Sequence, residues 1–204
     1  MKLVCILMAA GSASRFGANK LLQDFGGKPL CQWAMEAALS ADFHKRILVT
    51  GYEAVKELAA GFEIVENNRP ELGISRTIRL GLEAAGDCDG VLFLTCDQPC
   101  LSANTIQTMT AAFRADPTYI YAASHKGRRG NPVLFPGKFI HELCKLTGDT
   151  GGSQILKAHR NQLKLIEIPP EELLDCDTPE AMHALSKELC RGRIYAARRD
   201  GENL

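Results

Sequence analysis

The sequence has neither an excess of charge nor a long apolar run. Its 24 Lys and Arg residues balance 24 Asp and Glu residues in a chain of 204 residues, so the net charge is zero. A neutral chain lacks the basic surface that nonspecific nucleic-acid or membrane binding requires. No apolar run reaches the roughly 18 residues of a membrane span, and the first apolar segment lacks the features of a signal peptide. These absences predict a cytoplasmic protein without nucleic-acid or membrane partners.

Two glycine motifs and one cysteine motif are also missing. The chain contains neither the G-x-G-x-x-G pattern of dinucleotide-binding folds nor the G-x-x-x-x-G-K-[ST] pattern of P-loops. A dinucleotide-dependent oxidoreductase is therefore disfavoured. The eight cysteines include no C-x-x-C pair, which makes a zinc ribbon improbable. In a chain of this length they are expected to be small buried residues in a reducing compartment.

What the sequence does contain is an alternation of short apolar runs and helical patterns. It predicts a three-layer α/β/α domain with a mainly parallel sheet over residues 1–190. Residues 191–204 carry four arginines and are expected to form a basic, mobile tail. The predicted strands are Leu3–Ala9, Ile47–Thr50, Phe62–Val65, Val91–Cys96, Tyr119–Ala123, Val133–Phe135 and Leu165–Ile168. The predicted helices are Leu30–Leu39, Glu53–Ala60, Ile74–Ala85, Ser102–Ala115, Pro136–Leu146, Gly152–His159 and Thr178–Leu189.

The loop after the first strand has the composition of a phosphate-binding loop. Ala9, Ala10 and Gly11 are small enough to let a ligand approach the backbone N–H groups. Arg15 and Lys20 add two cations, which suit a triphosphate. The alternative is a solvated loop whose two cations face water, and composition alone does not separate these interpretations.

Aspartates follow the fourth predicted strand and precede the last helix. Asp97 comes directly after the run Val91–Cys96, at the strand end that faces the ligand crevice of an open α/β sheet. A carboxylate there is a suitable ligand for Mg²⁺. Asp175 and Asp177 precede Thr178-Pro179, and one of them could complete a metal site. The alternative is that Asp177 or Thr178 only caps the helix.

The start of the third helix is a further candidate contact. Gly73 and Ser75 are expected to place free N–H groups and a hydroxyl at a helix N-terminus, which favours an anion or a base edge. A simple serine cap is the alternative.

Several of these segments together resemble a family, the nucleotidyltransferases of molybdenum cofactor maturation. Met8–Gly11, Arg15–Gly17 and Lys20 follow the pattern L-A-A-G-x-S-x-R-M-G-x-x-K, with mild departures at Met8, Ala13 and Phe16. Alanine at position 10 resembles the cytidylyltransferase branch, since the guanylyltransferase branch usually has glycine there. Matching segments continue from about Lys2 to about Leu189, and they are Asn68–Thr77, Asp175–Glu180, Gly130–Phe135 and Gly148–Gly152. Ser153 departs from the pattern, which usually has arginine. Lys126, Arg128 and Arg129 are nearby cations that could compensate, and the alternative is that they only form a solvated basic loop.

The resemblance implies a Rossmann-like nucleotidyltransferase fold with a mixed sheet, and an Mg²⁺-dependent transfer of CMP from CTP to the phosphate of molybdopterin, a phosphorylated pterin. It implies catalytic roles for Arg15, Lys20 and Asp97, and metal binding by Asp97 and Asp177. A molybdenum hydroxylase is the partner it implies. The implied nucleotide contacts are Ala9, Ala10, Gly11, Lys20, Gly73, Ser75 and Asp97.

Two alternatives remain at this stage. The acceptor could be a sugar or polyol phosphate, which an acceptor screen with each of the four NTPs would reveal. The chain could also be a nonenzymatic carrier of the molybdenum cofactor, and the serine at position 153 motivates that hypothesis. Tight product binding without turnover would favour the carrier.

Overall fold

The described part of the chain forms one mixed sheet of seven strands covered by helices. The computed structural model describes residues 1–11 and 19–190. The strand order is β3-β2-β1-β4-β6-β5-β7, and among these strands only β6 runs antiparallel to its neighbours. The strands are β1 (Leu3–Met8), β2 (Lys45–Thr50), β3 (Glu63–Glu66), β4 (Gly90–Thr95), β5 (Ile120–His125), β6 (Arg128–Pro136) and β7 (Leu163–Glu167). The predicted α/β fold with a mainly parallel, mixed sheet is confirmed.

Helices cover both faces of the sheet. Alternate residues of β1 point to opposite faces: Leu3, Cys5 and Leu7 belong to one apolar core, Val4 and Ile6 to the other. All five are buried because parallel strands are covered on both faces. The helices are α1 (Leu30–Leu39), α2 (Glu53–Lys56), α3 (Ile74–Ala85), α4 (Ala103–Ala115), α5 (Ile140–Cys144), α6 (Ser153–Ala158) and α7 (Pro179–Cys190).

Strand β6 is three times as long as the predicted segment Val133–Phe135. It begins at Arg128, after a two-residue turn at Lys126-Gly127 in which both residues have positive φ, 49° and 77°. Such a turn matches the twist of an antiparallel hairpin. The pairing with β5 skips from Arg129 to Val133, so Pro132 lies in an irregular stretch where its missing N–H breaks no ladder bond.

Two predicted helices are shorter in the structure. The segment predicted over Pro136–Leu146 divides into a 3₁₀ turn, Gly137–Phe139, and the short α5. Helix α2 ends at Lys56 rather than Ala60, because the amides of Leu58 and Ala59 bond to carbonyls three residues back and tighten into turns.

The cysteines behave as the sequence predicts. The seven whose side chains the structure describes form no disulfide among themselves, and five of these are buried. Burial raises the pKa of Cys31 to about 11 and that of Cys176 to about 12, so both thiols are protonated at neutral pH.

Parts of the chain fall outside this description. Arg15, with the rest of residues 12–18, and the tail predicted for residues 191–204 lie outside the described residues. Within residues 1–11 and 19–190, no helix is both long and apolar enough to cross a membrane.

Candidate active site

The site lies where β1 and β4 end beside each other. The two strands are parallel neighbours, with Met8 opposite Thr95, so the chain that follows each leaves the sheet at the same edge. Gly11 and Asp97 emerge there on adjacent segments. This juxtaposition supplies a backbone loop and a carboxylate to one crevice.

The backbone after β1 is anchored by the last two residues of β2 and by a tyrosine just beyond that strand. Ala9 donates its N–H to the Val49 carbonyl at 2.9 Å and accepts from the Thr50 hydroxyl at 2.9 Å. The Tyr52 hydroxyl donates to the Gly11 carbonyl at 3.2 Å. Ala9 and Ala10 are buried, whereas Gly11 is exposed, with no atom within 4 Å of the position that a Cβ would occupy. The loop is thus fixed at its start and open in front of Gly11.

Lys20 joins the two acidic segments. Its Nζ lies 2.7 Å from Oδ2 of Asp97 and 3.1 Å from Oδ1 of Asp177. The side chains of Lys20 and Asp97 are only 16% and 18% exposed, whereas that of Asp177 is 61% exposed. Burial lowers the pKa of Lys20, but the two carboxylates outweigh it and the pKa is raised, so the ammonium stays charged. Lys20, Asp97 and Asp177 therefore meet, although 157 positions separate Lys20 from Asp177. Arg15, which was predicted to act with Lys20 and Asp97, lies outside the described residues.

Asn19 sets the position of Lys20. Its Oδ1 accepts from the Leu21 amide at 3.1 Å and caps the 3₁₀ turn Lys20–Leu22, whereas its Nδ2 is buried without a hydrogen-bond partner in the described structure. Sequence reasoning assigned no role to Asn19; its neighbour Lys20 was the available signal.

The two acidic segments are also tied through their backbones. The amide of Cys176 donates to the Asp97 carbonyl at 2.9 Å. This bond fixes Asp175 and Asp177, on either side of Cys176, relative to the end of β4. Thr178 uses its hydroxyl to accept from the Ala181 amide at 3.2 Å, as the helix-cap interpretation predicts. The cap thus belongs to Thr178, and Asp177 points its carboxylate at Lys20.

These carboxylates fit a divalent cation. Oδ1 of Asp97 is buried and has no partner among the described atoms, and the ammonium of Lys20 already stands between Asp97 and Asp177 as a positive charge. In the described residues, no three His, Cys, Asp or Glu side chains cluster as a complete metal site. Two carboxylates with the remaining ligands drawn from substrate phosphates and water are the usual arrangement for Mg²⁺.

A cavity of about 510 Å³ lies beside this cluster. Its apolar floor includes Met8, Phe93 and Phe135, and its rim carries Arg128 and Arg129. Neither guanidinium forms a hydrogen bond or an ion pair with another described residue, so the rim offers two unneutralised cations. The other lining residues are Ile74, Ile78, Gln98, Gly130, Asn131, Val133, Leu143, Asp149, Gly151, Gly152, Ser153, Leu156, Leu173 and Asp175.

Asp175 connects the cavity to the charged cluster. Burial, followed by the charges of Asp97 and Asp177, raises the pKa of this carboxyl to about 6, while Lys20 and a hydrogen bond from Gln98 act in the opposite direction. Half of this carboxyl population is therefore protonated near pH 6. The period-two pattern of β4 would have located Phe93 on the cavity face, but no sequence signal marked Gln98.

The start of α3 differs from the expectation. Gly73 donates its N–H to the Pro70 carbonyl, Ser75 donates to the Gly148 carbonyl, and Ile74 donates to Oδ1 of Asp149. The prediction of free N–H groups at Gly73 and Ser75 is therefore wrong. The segment Gly148–Asp149, which is distant in sequence, folds onto this helix end and accepts the N–H groups of Ile74 and Ser75, whereas that of Gly73 is used within its own turn.

Two curated relatives match most of the chain. Purine catabolism protein PucB of Bacillus subtilis is 26% identical over 195 residues, which cover 87% of this chain and 93% of that protein. A probable molybdenum cofactor guanylyltransferase of Nostoc is 23% identical over 201 residues, or 91% of each chain.

Several solved structures share the fold. A nucleotidyl transferase from Methanothermobacter superposes with a TM-score of 0.80 at 22% identity, covering 94% of this chain and 99% of that one. Rv0371C of Mycobacterium tuberculosis, in complex with manganese, gives 0.76 at 21% identity over 92% and 99%. The CTP complex of CMP:2-keto-3-deoxy-manno-octonic acid synthetase gives 0.75 at 15% identity over 94% and 99%.

A family model supplies the assignment. The model of the MobA-like NTP transferase domain matches residues 5–163, which include Lys20, Asp97 and most of the cavity lining. The match covers well over half of the chain and starts and ends inside the mixed sheet. The chain therefore belongs to the MobA-like NTP transferase domain family.

Proposed function

We propose that this protein is an Mg²⁺-dependent cytidylyltransferase that transfers CMP from CTP to the phosphate of molybdopterin. The observation that carries the proposal is the meeting of Lys20, Asp97 and Asp177 at one sheet edge, beside a cavity with an apolar floor and a cationic rim. The first group of residues suits a nucleoside triphosphate, and the cavity suits a flat ring that bears an anion.

The transfer needs positioning and charge stabilisation rather than a covalent protein nucleophile. An oxygen of the acceptor phosphate attacks the α-phosphorus of CTP, the bond from that phosphorus to the bridging oxygen breaks, and pyrophosphate leaves with the electron pair. Asp97 and Asp177 would hold Mg²⁺, which when bound neutralises phosphate charge. Lys20, released from the carboxylates, and Arg15 would stabilise the charge that develops on the phosphates.

The nucleotide is proposed to bind along the backbone after β1. Ala9 and Ala10 have small, buried side chains, and the open space in front of Gly11 supports close approach of a ligand to this backbone. In this proposal Ser75 contacts the nucleotide through its N–H only after the Gly148 carbonyl has released that group, and Gly73 only after the Pro70 carbonyl has released its own. The choice of CTP rests on the alanine at position 10.

The acceptor is proposed to enter the cavity. Phe93 and Phe135 supply aromatic surface for a ring, and Arg128 and Arg129 supply the cations that the serine at position 153 does not. Ser153 is exposed on the same rim. Residues 1–190 form the transferase domain in this proposal, residues 191–204 form a separate tail, and a molybdenum hydroxylase receives the product.

The decisive experiment measures pyrophosphate release by purified protein with Mg²⁺, molybdopterin and each of the four NTPs. We expect release only when CTP and acceptor are both present. Release with another NTP would overturn the choice of base, and release only with a sugar or polyol phosphate would overturn the choice of acceptor. Tight binding of the product without turnover would favour the carrier.

Variants of the site residues, compared with a surface variant, test the catalytic roles. Asp97→Asn and Lys20→Met should each lower kcat/KM by about 10²–10³, the effect of removing one group that stabilises transition-state charge. Asp42→Asn, at a side chain that is 97% exposed, should leave the activity unchanged. An Asp97→Asn protein with full activity would refute the role of this carboxylate.

A further inference from the structure

The carbonyl group of Gly11 is held by a side chain from another part of the chain. The hydroxyl of Tyr52 donates to this carbonyl oxygen at 3.2 Å. Among residues 1–11 and 19–190, Tyr52 is the sole hydrogen-bond partner of Gly11. A glycine has no side chain that packing could hold, and its backbone is freer than that of other residues. Within the described structure, the position of the Gly11 carbonyl group therefore depends on this hydrogen bond.

Tyr52 is anchored more firmly than the group that it binds. Its side chain packs against the apolar core that contains residues of β1, α1 and α4. Its N–H donates to the Thr50 hydroxyl at 3.2 Å, and its carbonyl accepts from the amides of Val55 and Lys56 in α2. Because Gly11 is exposed and Tyr52 is fixed at its ring and at both sides of its backbone, the tyrosine positions the glycine rather than the reverse.

A second hydroxyl connects this tyrosine to the start of the same loop. The Thr50 hydroxyl donates to the Ala9 carbonyl at 2.9 Å and accepts the N–H of Tyr52, and the Thr50 side chain is fully buried. A Cβ on Gly51 would lie 2.4 Å from the backbone oxygen of Asn67, so the turn between the two hydroxyl residues is packed against the chain that follows β3. One compact turn therefore holds two carbonyl groups of the loop after β1.

The hydrogen bond to Gly11 keeps a negative dipole away from the open side of the loop. No atom lies within 4 Å of the position that a Cβ on Gly11 would occupy, so Tyr52 approaches the carbonyl from another side. Backbone N–H groups attract phosphate oxygens, whereas a carbonyl oxygen turned toward them repels them. The Tyr52 hydroxyl therefore opposes a conformation of Gly11 that would weaken the binding of a triphosphate.

We propose that Tyr52 is a positioning residue for the nucleotide substrate: it holds the Gly11 carbonyl so that the backbone after β1 keeps the conformation that binds phosphates, and Thr50 supports it at Ala9. This inference rests on the proposed function for the location of the nucleotide at this loop. It assigns no contact between Tyr52 and the nucleotide. Loss of the hydroxyl should therefore change the affinity for the nucleotide and leave the affinity for the acceptor unchanged.

The test uses Tyr52→Phe, which removes one oxygen atom and keeps the ring in the core. Each of the four NTPs with Mg²⁺ is titrated into the full-length protein by calorimetry, and the KM values for CTP and for the acceptor are measured separately. We expect the Kd of the nucleotide and the KM for CTP to rise about two- to tenfold, the effect of one neutral hydrogen bond. The KM for the acceptor should not change. An unchanged Kd, or an equal rise in both KM values, would overturn the proposal.

Tyr121→Phe is the matched control. The Tyr121 hydroxyl also donates to a backbone carbonyl, that of Asp116, at 3.0 Å. This bond lies between the end of α4 and the start of β5, whereas the candidate site lies at the carboxyl ends of β1 and β4. Each variant loses one hydrogen bond of a tyrosine hydroxyl, but only Tyr52→Phe should weaken nucleotide binding. Equal weakening by both variants would indicate a general loss of stability and would overturn the positioning role.

Substitutions of Thr50 test its supporting role. Thr50→Ser retains a hydroxyl for Ala9 and Tyr52 and should retain the nucleotide affinity, whereas Thr50→Val should weaken it. Adding Tyr52→Phe to Thr50→Val should weaken binding by less than the product of the two single effects, because the Thr50 hydroxyl also holds the Tyr52 amide. A full product would overturn the supporting role. If Thr50→Val does not fold, the comparison of Thr50→Ser with the wild type and with Tyr52→Phe still decides whether a hydroxyl at position 50 suffices.

The outcome is separable from that of the proposed function. Nucleotide binding without pyrophosphate release would refute the transferase proposal, and the ratio of the Kd values of Tyr52→Phe and the wild type would still decide the role of Tyr52. Normal turnover with an unchanged KM for CTP in Tyr52→Phe would overturn this inference alone. Failure of the wild-type protein to bind any NTP would overturn both.

Discussion

At the scale of single residues, the site brings several carboxylates close together, and their mutual repulsion has to be compensated by a cation. The ammonium of Lys20 is largely buried and contacts two carboxylates, and a third carboxylate, that of Asp175, lies close enough for its pKa to respond to both. Bringing carboxylates together costs free energy unless a positive charge compensates. The clustered carboxylates therefore lower the stability of the ligand-free protein and favour the binding of a cation.

The charge of Asp175 should make the free energy of unfolding depend on pH. The pKa of this carboxyl is raised from 3.8 to about 6 in the folded protein, so the unfolded chain loses its proton first as the pH increases. Stability from this group is thus fully present below about pH 4, falls between pH 4 and 6, and is lost above that range. Asp175→Asn should leave the free energy of unfolding unchanged at pH 4 and raise it at pH 7.5.

The expected gain is about 1 kcal/mol, since Asp175 is exposed enough for solvent to screen much of the two-unit effect. Urea denaturation in the presence of EDTA at both pH values measures it. Asp87→Asn, at an exposed carboxylate away from the site, is the control and should show no such difference. A gain that is equal at both pH values would exclude charge as the cause.

At the scale of elements, two loops distant in sequence close against each other at the start of α3. Gly73 has φ 85°, and a Cβ on it would lie 2.4 Å from the backbone of Gly148. The Ser75 amide bonds to the same residue. A glycine at position 73 is therefore required for two independent reasons, its backbone conformation and the approach of another backbone.

Two alanine substitutions distinguish the cost of the backbone conformation from the cost of the close approach of another backbone. Gly86, at the other end of α3, has φ 61° with no atom within 4 Å of a Cβ position. Gly86→Ala should cost about 1–2 kcal/mol of unfolding free energy from conformation alone. Gly73→Ala should cost at least about 1 kcal/mol more, because the Gly148 backbone must also move. Equal costs in urea denaturation would show that the segment at Gly148 is not packed against α3.

The hairpin of β5 and β6 is the element that brings cations to the cavity. We expect Arg128→Gln combined with Arg129→Gln to raise the acceptor KM by about 10²–10⁴-fold with little effect on the KM for CTP, because hydrogen bonds to charged groups contribute about 1.5–3 kcal/mol each, or about 3–6 kcal/mol for the pair. Arg114→Gln on α4 is the matched control. Adding Ser153→Arg to the double variant should recover part of the loss, since Ser153 lines the same rim. A matched rise in the KM for CTP would instead indicate that the hairpin binds the nucleotide.

At the scale of the whole molecule, the sheet explains which features the sequence could predict. Asp97 follows an unbroken apolar run, and such a run in a parallel sheet ends at the ligand crevice, so its position was predictable. The length of β6 was not predictable. Gly130 and Pro132 are unfavourable in a regular strand, but the irregular pairing of β6 with β5 accommodates both residues. The burial of Gln98 and the contact of Gly73 with Gly148 depend on packing between distant segments, which no local pattern encodes.

Because of the same topology, a ligand bound at this edge of the sheet should stabilise the whole folded protein. Lys20, Asp97 and Asp177 come from three separate parts of the chain, so a molecule bound to all of them must be released before global unfolding. At a concentration 100 times its Kd, CTP with Mg²⁺ should add about 2.7 kcal/mol to the free energy of unfolding. For a protein of this size that corresponds to a rise of roughly 5–10 °C in Tm.

Thermal melts with CTP and Mg²⁺ together, with either alone, and with CTP in EDTA measure this coupling. We expect the full rise only when both are present, because the carboxylates repel the triphosphate until a cation lies between them. Asp97→Asn should abolish most of the rise, whereas Asp42→Asn should retain it. An equal rise in Tm with CTP in EDTA would mean that CTP binds away from the carboxylates. That result would refute the hypothesis that metal and nucleotide share one site.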